Sequence, residues 1–263
     1  MGLQQPEPSP AEDTRHSAKR FGPVSAVLVT LGAFFGSQLL AALVIGLVIA
    51  LTGKNTSETA QTLTESTFGR FMFVLVVEVL TLGILFWFIR RRGIKLNEIG
   101  LGRLPKSSDT GYALVSFGIY FVLLAIIMYC IGEYIPGINL EQEQQIGFES
   151  ATGAAALGLV FISLVILPPI VEEIMIRGFL YSGLRHKLGR FVSAIVASAI
   201  FGVAHLQLGA GAPPLYVAAI DTFVLSMVLI ALRERTGSLW AGILVHALKN
   251  GLAFTALFIF NVS

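Results

Sequence analysis

Seven apolar runs constrain this chain more than any other feature. They cover Val24 to Leu51, Phe71 to Ile89, Tyr112 to Ile131, Ala151 to about Leu180, Phe191 to Leu206, Leu215 to Leu232 and Leu239 to Phe260. About 20 residues of helix cross the ~30 Å hydrocarbon core of a bilayer. In that solvent every backbone polar group must find its partner within the protein, which favours helices. The expected fold is therefore all-α, a polytopic transmembrane helix bundle of about seven spans. Composition agrees: 55% of the 263 residues are hydrophobic, another 27 are Gly, and only 13% are charged. With a mean hydropathy of +0.79, this excludes a disordered chain, a nucleic-acid binder and an ordinary soluble enzyme, because one 28 kDa globule cannot hide that much apolar surface. The single cysteine, Cys130, excludes an internal disulfide and a cysteine metal site.

The 18 Lys and Arg residues set the expected orientation. They cluster in the N-terminal segment (Arg15, Lys19, Arg20), in Arg90-Arg91-Arg92 with Lys95, Arg103 and Lys106, in Arg185, Lys187 and Arg190, and in Arg233 and Arg235. These are alternate connections. The other side carries Glu133, Glu141, Glu143 and Glu149, and an uncharged connection from Gln207 to Pro214. The positive-inside rule puts the N-terminus in the cytoplasm and, with seven spans, the C-terminus outside. Residues 1–20 read as a tail that packs against nothing. The first apolar run, about 28 residues long and without a small-residue cleavage pattern, reads as a retained anchor. No fixed-period repeat or matching halves suggest an inverted-repeat transporter.

An ionisable group within a span costs roughly 3 kcal/mol on insertion scales, so each needs a partner or a task. They are Glu78 in the second run; Glu172, Glu173 and Arg177 in the fourth; His205 in the fifth; Asp221 in the sixth; and His246 with Asn250 in the seventh, Asn250 being polar but uncharged, while Lys249 is expected to snorkel. Glu173 and Arg177 are four apart and share a helix face, whereas Glu172 points about 100° away. A carboxylate already paired with a guanidinium is a poor base, so Glu172 is the candidate base and Glu173 the structural partner. The competing reading ends the helix in the aqueous interface at this acidic pair. Phe201 and His205 share a face, as do His246 and Asn250. If the chain turns near residues 188 and 189, Glu172 and His205 each lie about 24 Å from that turn and are level. His246 reaches their depth only if the preceding hairpin extends farther into the cytoplasm. Pro168 and Pro169 open the helical ladder just before the acidic pair and point to a wet pocket. Asp221 is placed to meet a histidine ring and fix its tautomer. Glu78 reads as a bond to a neighbouring helix.

The strings Glu172-Glu173-Ile174-Met175-Ile176-Arg177, Phe201-Gly202-Val203-Ala204-His205 and His246-Ala247-Leu248-Lys249-Asn250 resemble the E-E-x-x-x-R, F-x-x-x-H and H-x-x-x-N/D motifs of the CAAX protease and bacteriocin-processing (Abi) family. Arg177-Gly178 and Thr236-Gly237-Ser238-Leu239-Trp240 are similar as well. The likeness covers about residues 151–260 and is to the type 2 CAAX prenyl protease branch, which is usually drawn with eight spans. It implies an intramembrane endopeptidase with Glu172 as general base, His205 helping it activate water, and His246 with Asn250 stabilising the oxyanion. By the same likeness Glu173, Arg177 and Phe201 support the site.

The implied partners are a peptide or membrane-anchored protein, prenylated in the eukaryotic branch, and the lipid bilayer, with no nucleic acid. No cofactor is expected. A minority alternative has Glu172, His205 and His246 holding zinc, although no H-E-x-x-H helix is present. The expected division is a tail at 1–20, three N-terminal helices at 21–150 and a four-helix catalytic core at 151–263. Localisation follows as a multi-pass integral membrane protein, in the cell membrane if the source is prokaryotic. Two rival readings are a non-catalytic immunity or scaffold protein of the same family and a small proton-coupled transporter using Glu78, Glu172 and Asp221.

Overall fold

The structure, a computed structural model, describes residues 21–51, 65–140, 146–206 and 214–260. The tail expected at 1–20 lies outside them. Among the described residues every regular element is helical: α1 Pro23–Leu51, α2 Thr67–Arg92, α3 Ser107–Tyr134, α4 Ala154–Phe161, α5 Leu167–Glu172, α6 Tyr181–Ala204, α7 Tyr216–Thr236 and α8 Trp240–Phe254. Wide π-helical turns link α4 to α5 (Ile162–Ile166) and α5 to α6 (Glu173–Leu180), and a third continues α8 (Thr255–Ile259).

Among the described residues six helical stretches, not seven, are long and apolar enough to cross a membrane, because the fourth and fifth runs form one stretch, Ala154–Ala204. That stretch is not straight. Gly189 has φ 72° and ψ 175°, a backbone conformation that suits glycine. Arg177 Cζ lies 4.3 Å from the centre of the Phe201 ring, where a straight helix would hold them about 36 Å apart. The chain therefore doubles back at Gly189 into a helical hairpin, as the turn read near 188 and 189 requires.

The hairpin is long on one side. A Cβ on Gly178 would sit 3.2 Å from Leu239 Cδ1 and 3.1 Å from the Ile99 carbonyl, so α8 begins level with Gly178. The hairpin tip at Gly189 lies eleven residues farther on. This offset brings His246, seven residues after Leu239, to the depth of Glu172 and Glu173.

The basic connections lie together at one pole. Arg233 Nη2 donates to the Glu98 carbonyl at 2.9 Å and to Ser182 Oγ at 2.8 Å. Leu239 N–H donates to Gly100 O at 3.0 Å and Trp240 Nε1–H to Arg103 O at 2.7 Å. Deeper in the bundle, hydroxyl pairs join neighbouring helices: Thr81 Oγ1 to Ser37 Oγ between α2 and α1, and Ser198 Oγ to Ser226 Oγ between α6 and α7, each 2.9 Å. Hydroxyls suit this role where lipid gives no hydrophobic drive for association. Gly202 lets α6 approach α7 so closely that a Cβ there would lie 2.8 Å from Ala219 O. The outward faces of α1 and α3 are apolar and exposed, as lipid contact demands.

Candidate active site

The local backbone of the site follows from two prolines. Pro168 and Pro169 have no N–H, so the Leu164 carbonyl loses both its i+4 and its i+5 donor. The winding opens into the π turn Ile162–Ile166, and π turns recur at functional sites. The orphaned Leu164 carbonyl accepts a hydrogen bond from Asn250 Nδ2 at 2.9 Å. An acceptor there fixes which way the Asn250 amide points and leaves its second N–H to serve another oxygen.

The two glutamates have different surroundings. Glu173 is 1% exposed, and its Oε1 lies 2.9 Å from Arg177 Nη1 and 3.2 Å from His246 Nδ1. Arg177 is fully buried, and its Nε and Nη2 find no hydrogen-bond acceptor among the described residues. Its charge lies over the Phe201 ring instead, a contact worth about 2 kcal/mol when desolvated. Gly242 makes this packing possible, since a Cβ there would come within 3.0 Å of Glu173 Oε2. Glu172 faces open space and has a 22% exposed side chain, with Oε2 3.6 Å from His246 Nε2. One carboxylate of the pair is thus accessible and the other sealed.

The histidines are oriented by their acceptors. The His205 ring meets the Phe201 carbonyl through Nδ1 at 2.9 Å. A carbonyl only accepts, so Nδ1 carries the hydrogen and the Nε2 of a neutral His205 is left as an acceptor. His246 donates Nδ1–H to Glu173, which leaves Nε2 toward Glu172.

Glu172, His205, His246 and Asn250 all line one cavity of about 1140 Å³, with Phe201 and Asp221. A second cleft of about 580 Å³, lined by Leu31, Phe34 and Phe35 of α1 and by Ile200 and Val203 of α6, also reaches Glu172 and His205. Glu172 and His205 thus stand where the larger cavity and the apolar cleft meet.

Asp221 departs from expectation. Among the described residues it hydrogen-bonds to no histidine: its Oδ2 lies 2.9 Å from Lys249 Nζ, and Tyr120 Oη donates to its Oδ1. Counting residues along α7 gives depth but not azimuth, and Asp221 faces α3 and Lys249. The tautomer-fixing task falls to Glu173. Lys249 is thereby held in the cavity wall. Tyr120, Lys249 and Gly242 escaped the motif reading. Gly242 had a signal, since it begins the i, i+4, i+8 stripe that His246 and Asn250 continue. Tyr120 had none, being 101 residues from its partner. Glu78 on α2 is near enough to Glu172 for their charges to interact.

Among the described residues no three His, Cys, Asp or Glu side chains are grouped to hold a metal ion.

Comparison with known proteins follows the same residues. Residues 154–252 match the family described as Type II CAAX prenyl endopeptidase Rce1-like. The match is to the Rce1-like family. All three motifs fall within that Rce1-like segment, and the resemblance drawn from them is to the same family. The chain is 31% identical over 160 residues to the Bacillus subtilis (strain 168) protein named "Putative membrane peptidase YdiL". That match covers 61% of this chain, and the chain spans 58% of the length of this relative. No solved structure matches. The Rce1-like segment and the relative support a membrane peptidase at the level of the family, and the six membrane-length apolar stretches among the described residues support a multi-pass integral membrane protein.

Proposed function

We propose that this chain is an intramembrane endopeptidase in which Glu172 activates water without a metal ion. The observation that carries the reading is the convergence of Glu172, His205, His246 and Asn250 on one cavity while Glu173 is sealed behind them by Arg177 and Gly242. Water bound between Glu172 and the free Nε2 of His205 gives a proton to Glu172 as its oxygen attacks the scissile carbonyl carbon. The resulting oxyanion receives the second N–H of Asn250 and a proton donor at His246 Nε2. Glu173 orients that ring by accepting its Nδ1–H, and Arg177 balances the charge of Glu173. Collapse of the intermediate breaks the C–N bond, and the proton on Glu172 passes to the leaving nitrogen. No step in this sequence needs a Lewis acid, and the residue set supplies both the base and the oxyanion donors.

The substrate in this reading is a membrane-anchored polypeptide. The apolar cleft between α1 and α6 supports it, because it brings lipid-facing space to the same glutamate. The basic pole, in turn, supports a cytoplasmic N-terminus. The test is a pool of peptides, with and without prenyl or acyl groups, incubated with the purified protein and read by mass spectrometry. Cleavage of a subset at a defined bond, lost in Glu172→Gln, is the expected result. A pool left intact by a folded protein would favour the non-catalytic scaffold reading.

A further inference from the structure

Two features of the structure stand at opposite poles. The connections 90–106, 185–190 and 233–235 meet at one end of the bundle, tied by the bonds from Arg233, Leu239 and Trp240, and hold eleven Lys and Arg residues. The other end is formed by the start of α2, residues 146–153, Leu215 and the π turn Thr255–Ile259. Among its described residues it has Arg70 as its one Lys or Arg. An asymmetry of eleven to one in short connections orients a bundle strongly, with the basic pole inside.

The large cavity runs to the opposite end. Beyond Glu172 and His246 its lining continues through Leu140, Ile146, Glu149 and Thr152, and through Leu257 and Phe258 after α8. All belong to the pole away from the basic connections. Arg70 marks the same pole, since a Cβ on Gly147 would lie 3.6 Å from its Nη1. Toward the basic pole the site is closed. Glu173 and Arg177 are buried beneath it, Gly242 packs on Glu173, and Ile99 and Leu239 fill the space below Gly178.

We propose that the mouth of the catalytic cavity opens on the extracytoplasmic side, so that the site takes polypeptide segments presented from outside the cytoplasm. The class of substrate is a membrane-anchored or exported protein whose cleavable stretch lies in the outer leaflet or just beyond it. The substrate part of this inference rests on the peptidase reading, whereas the placement of the mouth does not.

The test uses the full chain in bacterial cells with Cys130 replaced by Ser. Thr152→Cys places a thiol at the mouth and Lys187→Cys one at the exposed hairpin tip. A membrane-impermeant maleimide should label the first in intact cells and the second only after permeabilisation. The reverse pattern overturns the proposal. In parallel, two reporters carry one transmembrane anchor and one cleavable stretch, placed on the outer side in the first and the cytoplasmic side in the second. Cleavage of the outer reporter alone, dependent on Glu172, supports the proposal, and Glu172-dependent cleavage of the cytoplasmic reporter overturns it. Mouth labelling from outside with neither reporter cut would refute the peptidase reading while upholding the placement of the cavity.

Discussion

Glu173→Gln removes a negative charge from a place where a positive one has nowhere to go. Arg177 is fully buried, its Nη1 is 2.9 Å from Glu173 Oε1, and its other nitrogens rest on the Phe201 ring without an acceptor among the described residues. Removing one partner of such a pair costs about 3 to 5 kcal/mol, because the remaining charge stays buried and uncompensated. At roughly 2 to 4 °C per kcal/mol for a chain of this size, the melting temperature in detergent should fall by about 6 to 20 °C. Glu172→Gln, at a partly exposed side chain without a guanidinium partner, should cost less than about 1 kcal/mol. The double variant Glu173→Gln/Arg177→Met should recover much of the loss, since no charge is then stranded. Differential scanning fluorimetry of the purified variants measures all three. A Glu173→Gln protein that melts within 2 °C of the parent, or a double variant no more stable than the single one, would refute the argument.

Other consequences follow from the same geometry. Asn250→Ala orphans the Leu164 carbonyl and should destabilise by about 1 to 3 kcal/mol; adding Pro168→Ala returns an N–H to that carbonyl and should recover part of the loss, and additive costs would count against the proline account. Burial pushes the Glu149 carboxyl up, but the backbone N–H groups it accepts from at residues 146, 147 and 149 and the charge of Arg70 outweigh this and hold it below its ordinary value of 4.5. The turn at 146–149 is then fully clasped above pH 4.5 and loosens as the pH falls through the lowered value. Amide exchange at Gly147, corrected for intrinsic rate, should accelerate only in that acidic window, and acceleration already complete above pH 4.5 would sink it. Hydrolysis should survive purification and assay in strong chelator; loss of activity with chelator and its return with added zinc would restore the metal alternative.

The parts of the site legible in the sequence were those that depend on spacing along one helix or across one turn. Glu172 and His205 lie nearly equidistant from Gly189, and Glu173 and Arg177 share a face, so both relations could be read from residue numbers alone. The partner of His246 could not. His246 and Asp221 stand on different helices, and residue counting gives their depths while leaving their rotation about each axis free. Packing sets that rotation, and Gly242 sets it here by admitting the Glu173 carboxylate to the α8 surface. Tyr120 is a further case: α3 carries no motif, yet its hydroxyl holds Asp221 in the wall of the cavity. The paired prolines were legible as a break in the helix, but the side chain that caps the freed carbonyl comes from α8, 86 residues away.

The central claim is that Glu172 is the base and Glu173 its support. The most direct measurement is the rate at which the parent and Glu172→Gln proteins, matched for melting temperature and held in chelator, cut a membrane-anchored peptide, followed by mass spectrometry. The account predicts clean cleavage by the parent and a fall of at least about 100-fold in kcat for the variant, the usual cost of losing a general base. Cleavage by Glu172→Gln at a rate close to the parent's would contradict it.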